Sequence, residues 1–257
     1  MNNSLLLAIG FLTVLPVRVK DAAMSEVGRA AMWFPFVGFF MGLALGVAHL
    51  ILLQFFAPLL AAALTVTIWI VLTGGLHLDG LADCCDGLLV SAPPERRLEI
   101  MRDPRVGSFG VIGLVLIVAL KIFAISSMPS FRASAPLWGI FAVYFPIGVL
   151  PLTLAISRWL ILIVAVQPQA RANGMGAEFA RGITRRTILV AAIMPMFLMV
   201  VGLVAWQVLA AIIAAHAIAF IVIRFARTRI GGVTGDVIGL TVELSETVML
   251  LIFAFKP

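Results

Sequence analysis

Three aspartates stand at positions 79, 83 and 86, within the stretch GGLHLDGLADCCDG that runs from residue 74 to residue 87. A helical step of about 100° per residue brings i, i+4 and i+7 within roughly 60° of one another, so a helix would turn all three carboxylates to one face. Like charges crowded this way are costly unless a cation compensates them. Hard oxygen ligands suit Mg²⁺ or Mn²⁺, ions commonly shared with substrate phosphates. The stripe therefore reads as a metal or catalytic site rather than as the solvated end of a helix. Cys84 and Cys85 point away from that face and read as small core residues. Sequence neighbours rarely have the geometry of a disulfide, so nothing here argues for an oxidising compartment. His77 lies about 160° from the stripe on a continuous helix, and its role stays open between orienting a ligand, supplying a proton and sitting at an interface.

Two further segments carry matching chemistry. In PPERRLEIMRDPRVGSFG, residues 93 to 110, prolines start and stop a short amphipathic helix, and Arg102, Asp103 and Arg105 follow it. Arginines there can grip a diphosphate through forked hydrogen bonds, whereas Arg96 and Arg97 read as ordinary positive anchors. In GGVTGDVIGLTVELSET, residues 231 to 247, a glycine-rich turn ending at Gly235 leads into Asp236, Glu243 and Glu246, spaced to share much of one helical face. Glycines let backbone amides approach an anion closely, and carboxylates within a membrane span are expensive and usually functional. Arg158, in ISRWLIL, must either anchor a boundary or meet an anion such as a phosphate. Lys121, His49 and His216 are lone polar residues on apolar stretches and read as structural.

The elements that must position these groups are membrane helices. The chain has 257 residues, is 63% hydrophobic and only 12% charged, and has a mean hydropathy of +1.16. An ordinary soluble domain is near half apolar and a quarter charged. Uncharged runs predict spans over about 30–53, 58–76, 107–128, 136–157 (extending as far as 168), 187–206, 207–224 and 238–255. Pro146 and Pro151 are expected to kink the fourth. Residues 4–15 are too short to span and read as an interfacial helix, part of the mature chain rather than a signal peptide. The expectation is an all-α fold: a polytopic integral membrane helical bundle of about six to seven transmembrane helices plus short interfacial helices, forming one membrane-embedded catalytic domain over residues 1–257.

The net charge of +6 does not point to nucleic acid. Placing residues 16–29 in the cytoplasm puts the loops 77–106, 169–186 and 225–237 there too, and with Arg224 at the cytoplasmic end of its span that side holds fourteen of the eighteen basic residues. Of the other four, Lys121 and Arg158 fall in spans, and Arg132 and Lys256 fall on the far side. Ten of the twelve acids share the cytoplasmic side. A transporter built from two repeats would more often hold its ionisable groups near the bilayer midplane, and no internal repeat is visible.

Taken in order, TGGLHLDGLADCCDGL, LEIMRDPRVGSFG and GGVTGDVIGLTVELSE closely resemble the cobalamin synthase family, the adenosylcobinamide-GDP ribazoletransferases. FLTVLP near the start, WFPFVGFFMG, the SRW around Arg158 and ANGMGAEF at 172–179 agree as well, so the resemblance covers nearly the whole chain. Val14 stands where the family often has a basic residue, and Pro104 where a serine is common. The resemblance implies an inner-membrane, Mg²⁺-dependent enzyme. It would join adenosylcobinamide-GDP to α-ribazole or α-ribazole 5′-phosphate and release GMP, with its active site facing the cytoplasm. The motif residues it carries over are His77, Asp79, Asp83 and Asp86, then Arg102, Asp103 and Arg105, then Asp236 and Glu243.

Joined to the chemistry above, this gives a working assignment. Asp79, Asp83 and at least one more acid among Asp86, Asp103, Asp236 and Glu243 hold Mg²⁺ against the diphosphate. Asp86 is the candidate base, and His77 is a further catalytic candidate whose role stays open. Arg102 and Arg105 clamp charge, and Gly235 and Arg158 contact the bound phosphates. The nearest rival, a CDP-alcohol phosphotransferase, usually adds an arginine after DGxxA and a later GxxxDxxxD, and neither appears after Ala82. An ion or vitamin transporter is the rival of another class and would show flux without chemical change. Oligomeric association is left open.

Overall fold

The computed structural model describes residues 2–17, 22–128, 145–202 and 206–255. Within them the chain forms α-helices: α1 (Asn2–Leu12), α2 (Met24–Ala30), α3 (Phe34–Leu52), α4 (Pro58–Thr73), α5 (Leu76–Leu88), α6 (Pro94–Ile100), α7 (Ser108–Ser127), α8 (Phe145–Ala165), α9 (Met175–Gly182), α10 (Arg185–Gly202), α11 (Trp206–Ile230) and α12 (Gly235–Ala254). A 3₁₀ turn at Ala31–Trp33 joins α2 to α3, giving one continuous helical stretch of 29 residues. Among the described residues five helical stretches are long and apolar enough to cross a membrane, and seven if each of two bent pairs counts as one span. The chain is a polytopic helical membrane bundle, as its apolar runs predict. Arg132 and the first part of the fourth expected span, up to residue 144, lie outside the described residues.

Burial sorts the helices into a centre and a lipid-facing ring. The apolar windows of α8 and α12 are 83% and 72% buried, against 28% for α7 and for α11. Helices α3 and α8 approach each other closely. A Cβ on Gly38 would fall 2.4 Å from the Leu154 carbonyl oxygen, and one on Gly42 2.4 Å from that of Leu150. Only hydrogen fits there, which is how small residues four apart let membrane helices pack where no hydrophobic force drives them together.

The bends matter more for the site. Gly74 (φ +62°) and Gly75 (φ +69°) both adopt the left-handed conformation, which costs a residue with a Cβ about 1–2 kcal/mol. They turn α5 by 92° from α4. A second bend of 87° separates α9 from α10. There Thr184 and Thr187 cap the new helix reciprocally, each hydroxyl accepting the other's backbone N–H at 3.2 and 3.1 Å.

The fourth expected span runs through Ala165, inside the extension to residue 168, with Pro151 in its interior. Two boundaries differ from the sequence expectation. The first span begins at Met24, within the stretch expected to be a loop. Helix α11 runs on to Ile230, so the expected loop 225–237 shrinks to residues 231–234. Arg224, Arg227 and Arg229 do not end a helix, because their long side chains reach the interface from a helical backbone. Gly231, at φ +79°, does end it.

Candidate active site

Helices α5 and α12 cross glycine to backbone. A Cβ on Gly80 would meet the Asp236 carbonyl oxygen at 2.9 Å, and one on Gly239 would meet that of His77 at 2.9 Å. This crossing carries the aspartate stripe to the head of α12. Asp83, half-buried, lies in the field of Asp236, Asp79 and Asp86, and Arg171 opposes them. Asp236 in turn feels Arg171, Asp79 and Arg102. The open end of the bundle thus gathers Asp79, Asp83 and Asp236 opposite Arg171 and Arg102.

The segment before Arg171 is fastened to the turn before α12. Ala170 donates its N–H to the Val233 oxygen at 2.9 Å, and Val233 donates to the Pro168 oxygen at 2.9 Å. Arg171 donates to the Leu98 carbonyl at 2.5 Å, and its Nε is buried without a partner. At the head of α12, Thr234 accepts the Val237 N–H at 3.3 Å and donates to Asp236 Oδ2 at 3.1 Å. Arg171 is the functional candidate that spacing alone missed. Its signal was its place directly before ANGMGAEF.

The other expected members of the site are held elsewhere. Asp86 is buried and accepts the N–H groups of Gly107 at 2.7 Å and Gly110 at 2.9 Å, so it caps α7 and is the poorest of the stripe as a base or ligand. Asp103 and Arg105 are bonded to each other at 2.9 and 2.6 Å. The Arg105 guanidinium holds the Asp103 carboxyl well below the usual carboxylate range. The Arg105 side chain is 86% exposed and faces solvent as half of that pair. Gly235 borders open space, where an added Cβ would meet nothing within 4 Å. Arg97, expected to be a solvated anchor, is 5% exposed. It donates to the carbonyls of Ala92 at 2.8 Å and Leu88 at 2.6 Å, the second closing the end of α5.

Below the open cluster lies a buried ion network. Lys121 Nζ donates to Glu243 Oε2 at 2.7 Å and to Glu246 Oε2 at 2.6 Å, and sits 4.3 Å from the centre of the Trp69 ring. Glu246 Oε1 accepts from Arg158 and, at 3.0 Å, from Ser157 Oγ. Two cations thus balance two carboxylates inside the bundle, which is what makes such charges tolerable there. His77 is buried in the field of Arg158, Glu246 and Lys121. Glu243 therefore faces Lys121 rather than the aspartates. Arg158 is fully buried against Glu246, which removes it from the open site as a phosphate contact. Lys121 is not the lone residue it looked like. Of the two lone histidines, His49 is bonded to Thr65 at 2.8 Å and His216 to the Ile212 carbonyl at 2.8 Å.

Among the described residues no group of three or more His, Cys, Asp or Glu side chains is placed to hold a metal ion by itself. What the open end offers is a set of hard carboxylate donors beside arginines. That donor set fits an ion that keeps several waters and completes its shell from phosphate oxygens.

The family model described as cobalamin-5-phosphate synthase matches residues 4–254. The chain is similar to the adenosylcobinamide-GDP ribazoletransferase of Desulfitobacterium hafniense, with 36% identity over 97% of this chain and 95% of the relative. Its likeness to the one from Ectopseudomonas mendocina is 36% over 97% of this chain and 98% of the relative. For the one from Pseudomonas aeruginosa strain PAO1 it is 37% over 98% of each. No solved structure matches.

Proposed function

The chain belongs to the cobalamin-5-phosphate synthase family, and from that premise we propose that it is the transferase joining adenosylcobinamide-GDP to α-ribazole or α-ribazole 5′-phosphate. The observation that carries this reading is the convergence of Asp79, Asp83 and Asp236 with Arg171 and Arg102 at one open end of a membrane bundle. Carboxylates beside arginines suit a magnesium-bound diphosphate.

In the reaction, a ribose hydroxyl forms a bond to the phosphorus attached to cobinamide. The phosphoanhydride bond to that phosphorus breaks, and GMP leaves. Arg171 and Arg102 offset the diphosphate's charge, which weighs most in the transition state as charge shifts to the leaving phosphate. Asp83, half-buried between Asp79 and Asp236, accepts the hydroxyl proton. Asp79 and Asp236 are the carboxylates that would hold Mg²⁺. When bound, that ion supplies neutralisation of the diphosphate and fixes its orientation. The open end faces the cytoplasm on this reading, because the basic residues gather in the segments that meet there.

Purified protein given Mg²⁺, adenosylcobinamide-GDP and α-ribazole should release GMP in step with a cobalamin product, read by mass spectrometry. Chelation should stop the release and added Mg²⁺ restore it. Folded Asp79→Ala and Asp83→Ala proteins that keep full Mg²⁺-dependent GMP release would sink the proposal.

A further inference from the structure

Beside the acidic cluster lies a groove of ≈ 430 Å³ between the end of α8 and one face of α9. Its lining is mostly small and apolar, with Ala165 and Val166 at the end of α8, the exposed Ala172 after it, and Ala177 and Ala180 on α9, beside Gln167. Its rim carries Gln169 and the exposed Arg181. Two polar groups there are unspent. Among the described residues no carboxylate pairs with Arg181. Gln169 uses its amide nitrogen on the Ala165 and Gln167 carbonyls, at 2.8 and 3.0 Å, which leaves its side-chain oxygen to accept.

The groove is continuous with the reaction site. Ala172 in its lining follows Arg171, which lies in the field of Asp83 and Asp236. Gln169 bridges to Val233, and a Cβ on Gly176 would fall 3.1 Å from the Gly235 nitrogen and 3.3 Å from Gln169 Oε1. An occupant of the groove therefore ends within reach of the aspartates.

We propose that this groove binds the nucleoside substrate, with Arg181 receiving its 5′-phosphate. The assignment rests on the transferase reading above, and size and charge decide it within that reading. Clefts of roughly 300–1,000 Å³ take a small molecule, so this groove matches a single nucleotide, whereas a corrin macrocycle with its appended nucleotide would extend well beyond it. The alanines of the lining leave room for a flat base to lie against them. Gln169 Oε1 accepts from a ribose hydroxyl, and the ribose is turned toward Asp83. A guanidinium with no carboxylate on it supplies forked donors for a phosphate, which makes Arg181 the residue that favours the phosphorylated nucleoside.

The test uses full-length protein in detergent, Arg181→Ala and Ala180→Trp variants, and initial rates of GMP release at varied concentrations of each substrate. Arg181→Ala should raise the ratio of KM for α-ribazole 5′-phosphate to KM for α-ribazole about tenfold, the usual scale of one charge-assisted contact. Ala180→Trp should raise KM for both nucleosides at least about tenfold while KM for adenosylcobinamide-GDP stays within about twofold. Calorimetric titration of α-ribazole 5′-phosphate into the same proteins reads binding without turnover. Binding that weakens in both variants supports the groove even if no GMP is ever released, and in that case only the transferase reading fails. An unmoved KM ratio and unmoved binding in Arg181→Ala overturn the phosphate assignment. A raised KM for adenosylcobinamide-GDP in Ala180→Trp overturns the choice of substrate.

Discussion

At the scale of single residues, the aspartate stripe divides in two. Spacing correctly gives Asp79, Asp83 and Asp86 a shared direction, but a face some ten ångströms long meets different neighbours at its two ends. The far end meets the head of α7. A Cβ on Gly107 or on Gly110 would come within 2.4 Å of the Asp86 carboxylate, so only glycines let it reach both amides. The clue was present in VGSFG and is visible only when α5 and α7 are known to touch. Asp86→Ala should therefore cost about 0.5–2 kcal/mol, as loss of a helix cap does, and lower the thermal midpoint. Asp86→Asn should cost less, since its amide oxygen can still accept. Weakened Mg²⁺ activation with an unchanged midpoint would instead place Asp86 among the ligands. Asp83→Asn should behave in the opposite way, keeping the midpoint and losing about 10²–10⁴-fold in GMP release as the proton acceptor is removed. A variant that turns over at the parent rate would exclude that role.

At the scale of helices, the site depends on how α5, α7, α8 and α12 are held together inside the bundle. The sequence places Lys121, Arg158, Glu243 and Glu246 in or beside spans. It also says that such charges need partners. It cannot say which, because pairing depends on helix neighbours far apart in the chain. Lys121 joins α7 to α12, and Arg158 joins α8 to α12. Lys121→Met leaves two buried carboxylates sharing one guanidinium, which should destabilise by about 3–5 kcal/mol. Adding Glu243→Gln to Lys121→Met removes one of the stranded charges and should recover part of the loss. Additive costs for the two substitutions in a double-mutant cycle of thermal or denaturant midpoints would mean that the pair does not interact.

At the scale of the whole molecule, the functional groups come from segments that a membrane forces to one side. Among the described residues two apolar helical stretches, α7 and α8, lie between α5 and the Arg171 segment, and two more, the bent α9–α10 pair and α11, lie between that segment and the turn before α12. On the expected topology their charges share one end, with the α3–α4 link at residues 53–57 at the other, and charge alone leads to the same expectation, since basic residues mark the side that is not translocated. The 92° turn at Gly74–Gly75 was not, because an apolar run reads the same whether it is straight or broken. The orientation predicts a labelling pattern that can be checked in cells. In a Cys84→Ala/Cys85→Ala background, Phe55→Cys, at a position 76% exposed in the α3–α4 link, should react with a membrane-impermeant maleimide added to cells whose inner membrane faces the reagent. Arg96→Cys, on α6, whose native side chain is 64% exposed, should react only in inverted vesicles. The reverse pattern would turn the aspartates away from the cytoplasm and would overturn the cytoplasmic placement whatever the purified enzyme does in detergent.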